Sequence, residues 1–157
     1  MLEEADPVPL MAVPDPRGAV DEVTESRAFV QSLVRKVAAG DARAGERLLA
    51  VGLRAVPGIF REVLRVADNG PLVRILSALG PAAAPVIIDT WRRASGFSTR
   101  RLVREGVRAF RSLDGLLVRA LCGMGREVSP LLTTLLAEGD RAVRAVAVEV
   151  LIRLGEA

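Results

Sequence analysis

Three glycines in this chain are each followed by a proline five residues later: Gly52 and Pro57, Gly80 and Pro85, Gly125 and Pro130. Glycine ends a helix in a left-handed conformation that other residues adopt at a cost, and proline fits a helix best in its first turn. A constant gap between the two predicts one recurrent corner, helix then turn then helix, used three times. The residues around the corners repeat too. Leu72–Pro85 reads LVRILSALGPAAAP, and Leu117–Pro130, 45 residues on, reads LVRALCGMGREVSP. Apolar pairs follow each proline: Ile59-Phe60, Val86-Ile87 and Leu131-Leu132. The glycines are 28 and 45 residues apart, and Gly155 lies 30 beyond Gly125. A two-helix unit of that length cannot bury its apolar face alone, which is why such units stack in series.

The stretches between corners have helical periodicity. From about Thr24, the residues Phe29, Val30, Leu33, Val34, Val37 and Ala38 fall on one face, and Gly40 ends the run. Asp41 is placed to cap a second helix and Asp140 the last. Between them the pattern predicts a helix after Pro57, one from Pro71 to Gly80, and one carrying Ile87, Ile88, Trp91 and Ala94. A sixth is expected from about Thr99 to Ser112, and a break at Asp114-Gly115 precedes a short seventh ending near Gly123. An eighth carries Leu131, Leu132 and Leu135, and the ninth reaches Leu154. No period-2 alternation bounded by hairpin turns is present. Connections this short make successive helices antiparallel. With 50% apolar residues but only 3% aromatic, the core is built from Leu, Val, Ile and Ala.

Charge divides the chain. Residues 1–25 carry a net charge of −6 and the rest +9, nearly all of it from arginine. Pro7, Pro9, Pro14 and Pro16 oppose regular structure, so residues 1–20 are expected to form an acidic, flexible tail ahead of a helical domain at 21–157. The N-terminus lacks a basic signal region, and no uncharged apolar run reaches the ~18–20 residues that span a bilayer. A cytoplasmic protein without a membrane segment is the expectation.

The segment Gly139–Gly155, GDRAVRAVAVEVLIRLG, has an aspartate cap, Val143-Arg144 near the helix start and a closing Leu154-Gly155. In this it resembles the HEAT-repeat family, especially the short bacterial HEAT-like repeats, and the likeness extends over about 41–157. The Val-Arg copies at Val73-Arg74 and Val118-Arg119 depart from the family pattern, lying six residues from their glycines rather than eleven. That spacing predicts helices more than a turn shorter. The resemblance implies an all-α, right-handed α-solenoid of antiparallel helix pairs, about nine helices in all, of the armadillo type. Function is not implied by fold alone.

Chemistry-bearing residues are sparse. There is no His or Tyr, and Cys122 is the single cysteine, so no disulfide can close within the chain and a metal site would need carboxylates alone. No phosphate-binding loop, dinucleotide fingerprint or nucleophile elbow is present. Neither an enzyme nor a cofactor is expected. One face stands out. At 100° per residue, Arg100, Arg101, Arg104, Arg108 and Arg111 share one 100° arc, with Arg92 and Arg93 just upstream. Segment 92–111 holds seven arginines and one acid. Like charges so close repel unless screened or matched by a phosphate backbone, an acidic partner surface or the acidic tail. Arginine's planar fork suits carboxylates and phosphates alike. An acidic protein partner is expected first. Nucleic acid is the rival, although stacking aromatics and sequence-reading motifs are lacking. On the last helix, Val148 and Ile152 fall opposite the core stripe and are expected to contact another chain, as in a homodimer through this helix, or a further domain. Trp91 and Cys122 are expected in the core. Asp89 with Arg93 and Glu149 with Arg153 are expected as surface pairs four residues apart.

Overall fold

The computed structural model describes residues 16–66, 68–96 and 107–155, with backbone alone for 16–25, 96 and 107–112. Every regular element among them is helical. The α-helices are α1 (Pro16–Ala38), α2 (Ala42–Val51), α3 (Val56–Glu62), α4 (Gly70–Ala78), α5 (Ala84–Gly96), α6 (Val107–Gly123), α7 (Ser129–Glu138) and α8 (Arg141–Leu154). No single helix among the described residues is long and apolar enough to cross a membrane.

The three corners have one geometry. Gly52 sits at φ 65, ψ −137, Gly80 at φ 80, ψ 174 and Gly125 at φ 79, ψ −167. These are conformations that a side chain resists, since the Cβ would crowd the backbone. Each glycine is followed by a short 3-10 turn: Gly52–Ala55, Pro81–Ala83 and Arg126–Val128. Each turn leads into a helix whose second residue is proline: Pro57, Pro85 and Pro130. Gly155 differs, closing α8 in the ordinary left-handed cap at φ 74, ψ 29. Asp41 and Asp140 cap as their positions predict. Asp41 Oδ1 accepts from the Ala44 amide at 3.1 Å, and Asp140 Oδ1 from Ala142 and Val143, both at 3.0 Å.

Packing follows the alternation of helices along the chain. α2 packs on α4, α4 on α6 and α6 on α8, while α3 packs on α5. α5 also rests on α6, and α7 on α8. α1 lies against α2, α3 and α4. Its stripe of Val30, Leu33, Val34 and Val37 is buried, each worth about 1.5–3 kcal/mol. Close approach between neighbours is set by small residues. A methyl at Gly123 of α6 would clash with Ser77 Oγ of α4 and stand 2.9 Å from Ser77 Cβ. The same Ser77 hydroxyl lies 3.0 Å from the Val73 carbonyl and 3.1 Å from the Ala120 carbonyl, so it bridges the two helices.

Two boundaries differ from the sequence reading. α1 begins at Pro16 rather than near Thr24. Proline at a first helical position is compatible with helix, so Pro16 starts one where a tail was expected to continue. Residues 1–15 lie outside the described residues. The expected break at Asp114-Gly115 is absent, because α6 runs through it to Gly123. There Leu113, Leu116 and Leu117 are all buried, and the Asp114 carboxylate accepts from Trp91 Nε1–H at 2.9 Å. That burial outweighs the ~1 kcal/mol cost of a mid-helix glycine. The expected sixth and seventh helices thus share one element over 107–123, and the predicted start of the sixth lies outside the described residues. The shortening inferred for the Val-Arg copies holds for α4, at 9 residues, and fails for α6, at 17, against 14 in α8. α6 extends backward past its copy of the motif.

Candidate functional site

The arginine face is only partly within the described residues. Arg100, Arg101 and Arg104 lie outside them. Arg108 and Arg111 belong to the first turns of α6, where the backbone alone is described. Arg92 and Arg93 project from the last turns of α5 with side chains 54% and 77% exposed. Neither is free of acid. Arg92 Nη2 is 3.2 Å from Asp140 Oδ2, and Arg93 Nη2 is 2.8 Å from Asp89 Oδ2. Exposed pairs of this kind contribute about 0–1 kcal/mol each, so a better-matched anion can displace the internal one.

The Arg92–Asp140 pair spans the mouth of a groove of about 270 Å³ between α5, α7 and the start of α8. Ile88, Leu131, Leu135 and Val143 supply its apolar lining, and Asp89, Arg92, Glu138 and Asp140 its polar rim. Asp140 does two jobs there, capping α8 and facing Arg92. The Val143 amide above all, with Arg92 beside it, holds its carboxyl below the usual carboxylate range. Deeper in, Trp91 is 1% exposed and fills the space between α5 and α6, as its position predicts. Burial pushes the Asp114 carboxyl up, and the Trp91 hydrogen bond opposes that shift.

Other expectations meet mixed outcomes. Cys122 is half-buried against the core, and burial raises its thiol pKa, which makes it a poor nucleophile. Arg153 Nη2 donates to Glu149 Oε1 at 2.7 Å. Val148 and Ile152 are 44% and 60% exposed on α8. No group of three or more potential metal-ligating His, Cys, Asp or Glu gathers among the described residues.

Sequence reasoning missed the charged residue that is most deeply buried among the described residues. Glu62, the last residue of α3, is 2% exposed. Its Oε1 accepts from Gln31 Nε2 at 3.1 Å and from Arg65 Nη1 at 3.2 Å, and its Oε2 stands 3.5 Å from Arg35 Nε. The cluster fastens α1 to α3. One signal was available: Glu62 lies between the core positions Phe60 and Val63, on the helix's buried side. The partners on α1, Gln31 and Arg35, about 30 residues earlier, were not legible. Arg119 is likewise tied, through Nη2 to Asn69 Oδ1 and through Nε to the Gly115 carbonyl at 3.1 Å.

Apolar grooves with exchangeable ion pairs at the rim can hold a peptide or another protein's surface. Comparison with family models, with curated proteins and with solved structures found no match.

Proposed function

We propose that this chain is a non-catalytic protein-interaction module: a right-handed solenoid of HEAT-like helix pairs that meets an acidic partner surface through the arginine-rich segment 92–111. The observation that carries the reading is the repeated corner, with glycine in one strained conformation, a 3-10 turn and a helix with proline second, at three places in the chain. Serial packing of α2, α4, α6 and α8, with α3 on α5 beside them, supports a stack of equivalent units. Such a stack offers an extended surface rather than an enclosed site. Segment 92–111 leaves α5 and enters α6, and its described side chains, Arg92 and Arg93, stand in solvent with weak internal partners.

Affinity purification with the wild-type chain and with Arg104→Glu/Arg108→Glu tests the reading. The expected result is a partner with an acidic surface whose affinity falls at least tenfold in the variant, with unchanged helical circular dichroism. Equal affinity for both proteins overturns it. A gel shift with random-sequence duplex DNA or RNA that the same substitutions abolish would instead assign the arginines to phosphate contacts.

A further inference from the structure

Between α1 and α2 lies a cleft of about 370 Å³, floored by Leu33 and Ala44 and walled by Lys36, Arg43 and Arg47. Asp41 and Glu46 border it too. The Asp41 carboxylate is engaged as the α2 cap, accepting from the Ala44 amide at 3.1 Å. Lys36, Arg43 and Arg47 are exposed, and among the described residues none of the three side chains holds an ion pair or a hydrogen bond. Arg35, Arg65, Arg92, Arg93 and Arg153, by contrast, each face a carboxylate within 3.5 Å. The cleft therefore keeps positive charge that the fold leaves unmatched. Phe29, Leu33 and Lys36 are spaced i, i+4, i+7 and share one face of α1, and Phe29 is 52% exposed. That wall of the cleft is apolar toward the start of α1 and basic toward its end.

Residues 1–15, which lead into α1, carry Glu3, Glu4, Asp6 and Asp15 and no base, with Val8 and Leu10 alternating with Pro7 and Pro9. We propose that this segment turns back along α1 and docks in the cleft, its first acids on Lys36, Arg43 and Arg47 and its apolar residues on Phe29 and Leu33. The lengths agree. A helix advances ~1.5 Å per residue, so Phe29 lies about 20 Å and Lys36 about 30 Å along α1 from Pro16. Proline favours the extended polyproline form at ~3.1 Å per residue, which puts Leu10 about 19 Å and Asp6 about 31 Å from the same point. Leu10 thus comes level with Phe29 and Asp6 with Lys36, and Glu3 and Glu4 reach on to the start of α2, where Arg43 is the second residue. The charges agree as well, since an all-acidic segment meets three cations without partners. Exposed ion pairs are individually weak. Tethering offsets this, because a short linker holds the acids at an effective concentration on the order of millimolar beside the cleft. Docked there, the segment keeps other carboxylates and phosphates out. The inference is independent of the acidic-partner reading, because it uses different helices and different cations.

Paramagnetic relaxation in the full chain tests it. In a Cys122→Ser background, a nitroxide on Ala5→Cys should remove most of the amide signal intensity at Lys36, Arg43 and Arg47. Glu3→Lys/Glu4→Lys/Asp6→Lys alters only the segment and should restore that intensity, with the same helical circular dichroism. Adding Lys36→Glu/Arg43→Glu/Arg47→Glu to the lysine segment should bring the loss back, because the charges match again in reverse. Full intensity at the three amides with the native charges overturns the proposal, as does a loss that survives the lysine substitutions. A loss centred on Arg92 and Arg93 overturns it too, by assigning the segment to the arginine-rich stretch. Spin-labelled chains mixed with isotope-labelled chains that carry no nitroxide separate the last source. A loss between chains means that the segment docks on a second copy, and the contact within one chain is then wrong.

Discussion

At the scale of single residues, the informative positions are those where a side chain meets a fixed neighbour. Gly115 is the permissive case. A methyl there meets nothing within 4 Å, and the residue is inside α6. Gly115→Ala should raise stability by about 0.5–1 kcal/mol, through a smaller entropy loss on folding, measured as a higher urea midpoint. Glu62 is the opposite case. Arg35→Ala/Arg65→Ala leaves a buried carboxylate with Gln31 alone, and the expected loss is about 3 kcal/mol by the same measurement. Asp140 makes stability depend on pH. Its folded carboxyl is more acidic than the unfolded one, so its contribution is complete above the usual carboxylate range and disappears as pH falls through the depressed folded value. Asp140→Ala should cost about 1 kcal/mol at neutral pH. The gap between variant and wild type should narrow as pH falls through the depressed folded value, and a gap unchanged by acid would contradict this assignment.

At the scale of elements, the corners and the crossings are separable. Gly52→Ala, Gly80→Ala and Gly125→Ala each force a side chain into nearly the same disfavoured backbone conformation. Each should cost about 1–3 kcal/mol, with the three values close together in denaturant titrations. Widely unequal costs would mean that the corners are alike in angle but not in energetic role. At the α4–α6 crossing, Gly123→Ala should cost at least 2 kcal/mol, because Ser77 Cβ, not only its mobile hydroxyl, lies in the way. Adding Ser77→Gly should recover part of that loss, a coupling that a double-mutant cycle measures directly. Much of the element map was legible. Asp41, Asp140 and the Gly-Pro spacing announce their roles because capping and backbone restriction act within a few residues. Asp114-Gly115 misled because a turn signal is only a local preference, and three buried leucines with Trp91 beneath them override it.

For the whole molecule, the serial packing of helices turns a repeated sequence into repeated contacts. The sequence placed Val148 and Ile152 opposite the core stripe of the last helix, and the structure leaves them 44% and 60% exposed there. The arginine face is the converse: its periodicity and the Asp89–Arg93 pair are plain in the chain, yet the ion pair that holds Arg92 joins it to Asp140, an acid that only the fold brings close. What the sequence determined alone was whatever short-range physics controls: helical type, the three corners, the caps at Asp41 and Asp140, and a core of aliphatic side chains. Tertiary structure decided which helix lies beside which, the burial of Glu62 under two arginines, the continuity of α6, and the exposure of Val148 and Ile152 on α8. These depend on contacts between residues tens of positions apart, and burial there can outweigh a local preference of about 1 kcal/mol.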